Sequence, residues 1–223
     1  MLEKIYGFIP QRLGNRTLLR AWELLRIWNR LRKKDFSANR AKNEEAFIRH
    51  EEVIRRNNGY VEDQNRYRDM AYGKTDMAYA GCEIFAVYNA VHSVLGRQLM
   101  PLPEMIGEFE KDGMTLAGKF GTTPRAVSDF LQRQGFETEL VTGEEQFEEL
   151  GQRSRSLILT MYNNKNDIRG EVHTVNITKE SEGYVAHNVH CNGRGEGPFE
   201  SIREMMKKIN GGQSKAICLI GIK

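Results

Sequence analysis

The sequence predicts an α+β protein in which a helical half precedes an antiparallel sheet, with a further helical extension at the N-terminus. Three observations predict it. Apolar residues recur at three- and four-residue spacing in the earlier segments. Short β-branched runs with period-two alternation fill the last third. No internal repeat or low-complexity tract interrupts the 223 residues, and only five are proline.

The first element is a basic amphipathic helix over 18–34. Leu18, Trp22, Leu25 and Trp28 form its apolar stripe, and Arg20, Arg26, Arg30 and Lys34 lie elsewhere. A second, strongly charged helix covers 41–56. Together they make residues 1–72 a basic helical extension ahead of a domain at 73–223. Packing on that domain with a solvated basic face is the expected arrangement. Peripheral contact of residues 18–34 with an anionic membrane surface, or with a partner, is the alternative. The opening residues lack the apolar core and cleavage site of a signal peptide. No run approaches the roughly 18 apolar residues of a spanning helix.

Helices are expected next at 83–95, 103–110, 124–134 and 144–151. Strands follow at 156–162, 170–178, 183–190 and 215–222, with a helix at 199–209 before the last. Gly96 ends the first of these helices, whose apolar positions are Ile84, Phe85, Tyr88, Val91 and Leu95. The short turn after residue 179 makes its two flanking strands an antiparallel pair.

A net charge of +3 is too small to require a nucleic-acid partner. The three cysteines, Cys82, Cys191 and Cys218, form no even disulfide framework, which points to a reducing, cytoplasmic setting. Cys218, in the apolar closing strand, reads as a core thiol. His187, His190 and Cys191 are metal-ligand types, but no second ligand pair accompanies them, so no metal site is expected. The glycines at 192–197 lack the strand-then-helix context of a phosphate cradle, and no cofactor is expected.

Cys82 follows Gly81 at the head of the apolar helix. A free thiol has a pKa of about 8.5, and a helix N-terminus or an adjacent imidazolium lowers it to roughly 3.5–7.5. Gly81 leaves room for a substrate carbonyl. His173 shares a strand face with Val175 and Ile177, and Asn188 on the next strand comes within reach of its ring. A nucleophile, a base and an orienting group thus occur in chain order. Taken singly, each residue has a structural reading: a buried cap, a core or surface histidine, a turn asparagine.

That order resembles the papain-like cysteine peptidase superfamily. The block Gly121-Thr122-Thr123-Pro124, its helix and Gly135-Phe136, with Leu157-Ile158-Leu159-Thr160 before the histidine, is similar to the bacteriocin-processing (double-glycine) peptidases. The likeness covers about residues 73–223. It implies a papain-like fold and an acyl-enzyme mechanism on a peptide or protein substrate, with Cys82 as nucleophile, His173 as base and Asn188 holding the ring. The family's oxyanion glutamine corresponds to Asp76 here, and an ionised carboxylate donates no hydrogen bond. The Cys82 main-chain N–H, Tyr79 or Gln64 is then the expected donor. A cysteine hydrolase, an acyltransferase on the same site, and a catalytically weak peptide- or partner-binding domain remain the three readings. The oligomeric state is not legible.

Overall fold

The computed structural model describes residues 14–32, 34–163, 172–190 and 192–223. In chain order it runs α1 (Asn15–Leu31), α2 (Ser37–Arg56), a small hairpin of β1 (Ala71–Tyr72) and β2 (Thr75–Asp76), α3 (Met77–Ala80), α4 (Cys82–Leu95), α5 (Leu102–Lys111) and α6 (Pro124–Arg133). Then come β3 (Thr138–Val141), α7 (Phe147–Arg153), β4 (Ser156–Tyr162), β5 (Val172–Glu180), β6 (Gly183–His187), β7 (Glu196–Phe199), α8 (Ile202–Lys208) and β8 (Lys215–Ile222). The mixed α+β class is as the sequence predicts.

Six strands form one antiparallel sheet in the order β3-β8-β4-β5-β6-β7. Its central strands are buried on both faces because helices cover both. Ile158, Ile220 and Ile222 pack with Phe85, Phe109 and Phe130 from α4, α5 and α6. Leu157, Leu159, Val175, Ile177 and Leu219 point the other way, onto Leu150 of α7 and Ile202 and Met205 of α8. The pleat's period of two produces this division. It also fixes what each residue of β5 can face.

Helix α4 is buried on nearly every side from Cys82 to Val91, so it is a core helix rather than an amphipathic surface one. Its ending is as expected, with Gly96 in the left-handed conformation at φ 68°.

The packing shows no break at the boundary expected between residues 72 and 73. Ala46, Ile54, Val61, Tyr67, Met70 and Tyr72 share one apolar core with Ile84, Phe85, Phe109 and Phe130. Asn39 reinforces this across the boundary, its Nδ2 donating to the Gly73 oxygen at 3.1 Å and to Glu110 Oε1 at 2.6 Å.

Helix α1 is held by both apolar and polar contacts, Leu18 and Leu19 packing with Tyr162, Ile217 and Cys218. Arg26, expected on the solvated face, is buried; its guanidinium forks onto Asp112 at 2.9 and 3.0 Å and reaches Asp129 at 2.8 Å and Glu23 at 3.1 Å. Trp22 meets the Phe120 ring edge-on, and Asn29 accepts the Ala117 N–H at 2.9 Å. Trp28, expected on the same stripe as Trp22, faces outward.

Besides the β1–β2 hairpin, two strands of the large sheet appear where none is predicted. Thr138–Val141 pairs with β8 at one edge of the sheet. The stretch 196–199, expected as part of a glycine loop, forms the other edge, where a proline such as Pro198 is tolerated.

Candidate functional site

Helices α3 and α4 meet at Gly81, and the reason for glycine here is packing. A Cβ would stand 2.5 Å from the main-chain oxygen of Met77, so the tight junction excludes a side chain. Cys82, the first residue of α4, is only 6% exposed. Its Sγ lies 3.3 Å from Oε2 of Glu83, and the main-chain N–H and hydroxyl of Thr174 on β5 also bond to it. Burial pushes the thiol well above its ordinary range, and the neighbouring carboxylate pushes it further. The two Thr174 donors pull it down without compensating. This reverses the lowered value the sequence leads one to expect from the helix N-terminus.

Glu83 belongs to the same buried pocket. Burial raises its carboxyl to about 7, against the pull of its own N–H, the Cys82 thiol and the Thr122 N–H. Gly121, at φ 59°, gives it space: a Cβ there would stand 3.0 Å from both carboxyl oxygens. Tyr72 and Thr122 share a hydrogen bond at 2.6 Å, and Thr160 and Thr174 share one at 3.1 Å. Cys218, the expected core thiol, is buried and pushed up to about 12 by that burial, with the Glu83 charge adding.

His173 is buried on β5, opposite Met161 of β4. Its Nε2–H donates to the main-chain oxygen of Asn188 at 2.6 Å. A carbonyl only accepts, so this contact puts a proton on Nε2 and makes Nδ1 the basic nitrogen of the neutral ring. Asn188 therefore meets the histidine with its backbone, whereas its side chain was expected to do so. Its Oδ1 accepts from the Gln64 N–H at 3.1 Å, and its Nδ2 donates to Gln64 Oε1 at 3.0 Å. Its own N–H donates to Glu62 Oε2 at 2.8 Å. These bonds hold Asn188 at φ 60°, one residue beyond the end of β6. Asparagine tolerates that left-handed conformation better than most residues do.

Residues 60–64 connect the two sides of this arrangement. Asn89 of α4 bonds both main-chain groups of Val61 at 2.8 Å, and Gln64 Nε2 donates to the oxygen of Ala78 in α3 at 2.9 Å. Glu62 Oε1 accepts the His187 Nδ1–H at 2.6 Å, and Tyr60 stacks flat on the His187 ring at 3.9 Å. His187 Nε2 lies 3.0 Å from Thr178 Oγ1.

The structure thus brings the Cys82 sulfur against Thr174, the immediate neighbour of His173. Alternation gives the two residues opposite faces: Thr174 points toward the sulfur, and His173 shares the side of Val175 and Ile177. Pairing of β5 with β6 stops at Asn176 opposite His187. Beyond that point β5 has no β6 partner, and there the imidazole meets Asn188.

The expected oxyanion residues have other tasks. Asp76 caps α3, its Oδ1 accepting the Tyr79 N–H at 2.9 Å, and the Tyr79 side chain is exposed. The Gln64 amide is engaged by Ala78 and Asn188. Main-chain N–H groups at the start of α4 are the remaining expected donors. Cys191 lies outside the described residues. Among the described residues no group of three His, Cys, Asp or Glu is placed to hold a metal ion, and no helix is long and apolar enough to cross a membrane. A cavity of about 710 Å³ lies between α1, α6 and β3 and one of about 300 Å³ between α7 and α8; Cys82 and His173 line neither.

Sequence reasoning missed Glu83 and Glu62. The signal for Glu83 was present, as a lone acid in an otherwise apolar helical run. Glu62 carried no such mark. Comparison with protein families, with curated proteins and with solved structures finds no match, so a functional reading rests on the residues themselves.

Proposed function

We propose that the protein is a cysteine hydrolase acting on a peptide or protein, with a papain-like division of labour between a helix-borne thiol and a strand-borne imidazole. The observation that carries this reading is the Cys82 sulfur at a helix start, with a histidine on the adjoining strand β5 whose Nε2 proton is fixed by the Asn188 carbonyl. In the resting structure His173 lies on the strand face opposite Thr174 and the sulfur, so this reading requires the end of β5 that β6 does not pair to turn the ring before Nδ1 takes the Cys82 proton and the thiolate adds to the substrate carbonyl carbon. The developing oxyanion is met by main-chain N–H groups at the start of α4. Protonated His173 then delivers its proton to the leaving amine, giving an acyl-enzyme that water hydrolyses; an amine in place of water makes the same site an acyltransferase. The main-chain oxygen of Asn188 orients the ring throughout, while Glu62 and Gln64 hold Asn188.

The test is covalent labelling with a peptidyl thiol-directed probe, read by peptide mapping. Labelling at Cys82 in the parent protein, lost in Cys82→Ser and reduced at least about a hundredfold in His173→Ala, is expected from the usual weight of a catalytic base. Undiminished labelling of His173→Ala removes the imidazole from the mechanism.

One observation favours a second reading, a catalytically weak binding domain. A carboxylate 3.3 Å from the sulfur holds the resting thiol protonated. Under that reading Cys82 and Glu83 form a structural hydrogen-bonded pair, and peptides are bound without being turned over.

A further inference from the structure

We infer that the outward face of α1 is a docking surface for an anionic membrane, on which the protein lies without being inserted across it. Leu24 is 66%, Trp28 44%, Ile27 37% and Leu31 72% exposed. At 3.6 residues per turn these four side chains fall within an arc of about 100°. Opposite them, Trp22, Arg26 and Asn29 are buried against the rest of the protein. One helix therefore has two interior-like faces, and only one has a partner among the described residues.

Charge identifies the occupant. Arg16, Arg20 and Arg32 border or interrupt the apolar arc, and all three are exposed; Arg30, further round, pairs with Asp112 at 3.7 Å. The Arg32 guanidinium lies 4.0 Å over the Trp28 ring, pairing a cation with an aromatic at the rim. The only carboxylate of α1, Glu23, is turned away and engaged with Arg26 and Thr123. An arc of Leu, Ile and Trp that holds no acidic residue and is edged by arginine matches the layering of a lipid surface, acyl chains beneath and phosphates around. A second copy fits less well, because pairing two such faces sets arginine against arginine. An uncharged apolar groove on a protein leaves the arginines without anions.

The experiment is co-sedimentation of the full chain with phosphatidylcholine vesicles, with and without about a third of phosphatidylglycerol. Binding to the anionic vesicles is expected to exceed that to neutral ones at least about tenfold, given about 1 kcal/mol per arginine near such a surface, and to fall as salt rises well above about 0.15 M. The double variant Leu24→Ser/Leu31→Ser alters only exposed side chains; it should keep the parent's circular dichroism and melting temperature and lose at least about tenfold in binding. A single-site Arg20→Glu variant should lose the preference for anionic lipid. The inference is overturned if parent and double variant bind alike, if vesicle charge has no effect, or if the face instead drives self-association in sedimentation that the double variant abolishes.

Discussion

Replacing Glu83 by glutamine removes the charge beside the Cys82 thiol while preserving shape and an acceptor for the Thr122 N–H. At 3.3 Å and an effective dielectric of about 20, two unit charges repel by about 5 kcal/mol, so losing the carboxylate lowers the thiol's pKa and favours the thiolate. Each unit raises the thiolate fraction tenfold while the thiol remains above the working pH. Roughly half of that gain, in logarithmic terms, is lost to the weaker nucleophilicity of a less basic thiolate. The expected result is at least about a tenfold faster alkylation of Cys82 in Glu83→Gln at pH 8, measured as a second-order rate constant by iodoacetamide labelling and peptide mass spectrometry. Because the parent's Glu83 titrates at about 7, parent and variant should converge below about pH 6, where the carboxyl is neutral. A slower variant at pH 8 would refute this reasoning, since it would make Glu83 the base that takes the thiol's proton. Equal rates at both pH values would show that the two groups do not interact.

Glu83 also ties stability to pH. Its folded pKa lies above the unfolded value of about 4.5, so its contribution is fully present below pH 4.5 and is lost as pH rises through 7; the loss is about 3 kcal/mol. Glu83→Gln should therefore gain melting temperature over the parent at pH 8 and little at pH 4.5. Arg26→Met leaves the partly exposed Asp112 and Asp129 without their buried cation and should destabilise the protein by about 1–3 kcal/mol in urea unfolding. For Asp112 burial is the largest single influence and acts upward, but the Arg26 hydrogen bond together with the charges of Arg26, Arg30 and Arg133 outweighs it and leaves the carboxyl below its ordinary value. The stability that pair supplies is present above about pH 3.8 and is lost as pH falls through the folded value, a limb the Arg26 variant should lack. Asn188→Ala loses both Gln64 contacts while keeping φ 60°, for an expected cost of about 2–4 kcal/mol; Asn188→Gly, free of the backbone strain, should unfold at a higher urea concentration than Asn188→Ala.

Elements marked by strong local patterns were legible in the sequence. Strands 156–162 and 215–222 match their predicted limits, and α4 starts at Cys82 and ends at Gly96 as the apolar spacing and glycine imply. Edge strands were less legible, because β3 has only four residues and β7 contains Gly-Pro, so neither shows the alternation that marks a half-buried strand. Long-range polar pairing was not legible at all. Arg26 looks like any other arginine of a basic helix until Asp112 and Asp129, over eighty residues away, are seen to enclose it. In the candidate site the residue types were readable, but their partners were not. Strand period alone places His173 beside Val175 and Ile177; it does not reveal that Thr174 meets the sulfur, or that Asn188 offers its carbonyl because Gln64 takes its amide. The thiol's pKa was misjudged in direction for the same reason: a helix start lowers a thiol, but burial and an adjacent carboxylate, both tertiary effects, prevail here.

The central claim, that Cys82 and His173 act as a pair, is tested most directly by the pH dependence of Cys82 alkylation in the parent and in His173→Ala. Pairing predicts a His173→Ala profile that differs in shape from the parent's and lies at least about tenfold lower at pH 7.5. Superimposable profiles would contradict it and leave Cys82 a buried structural thiol.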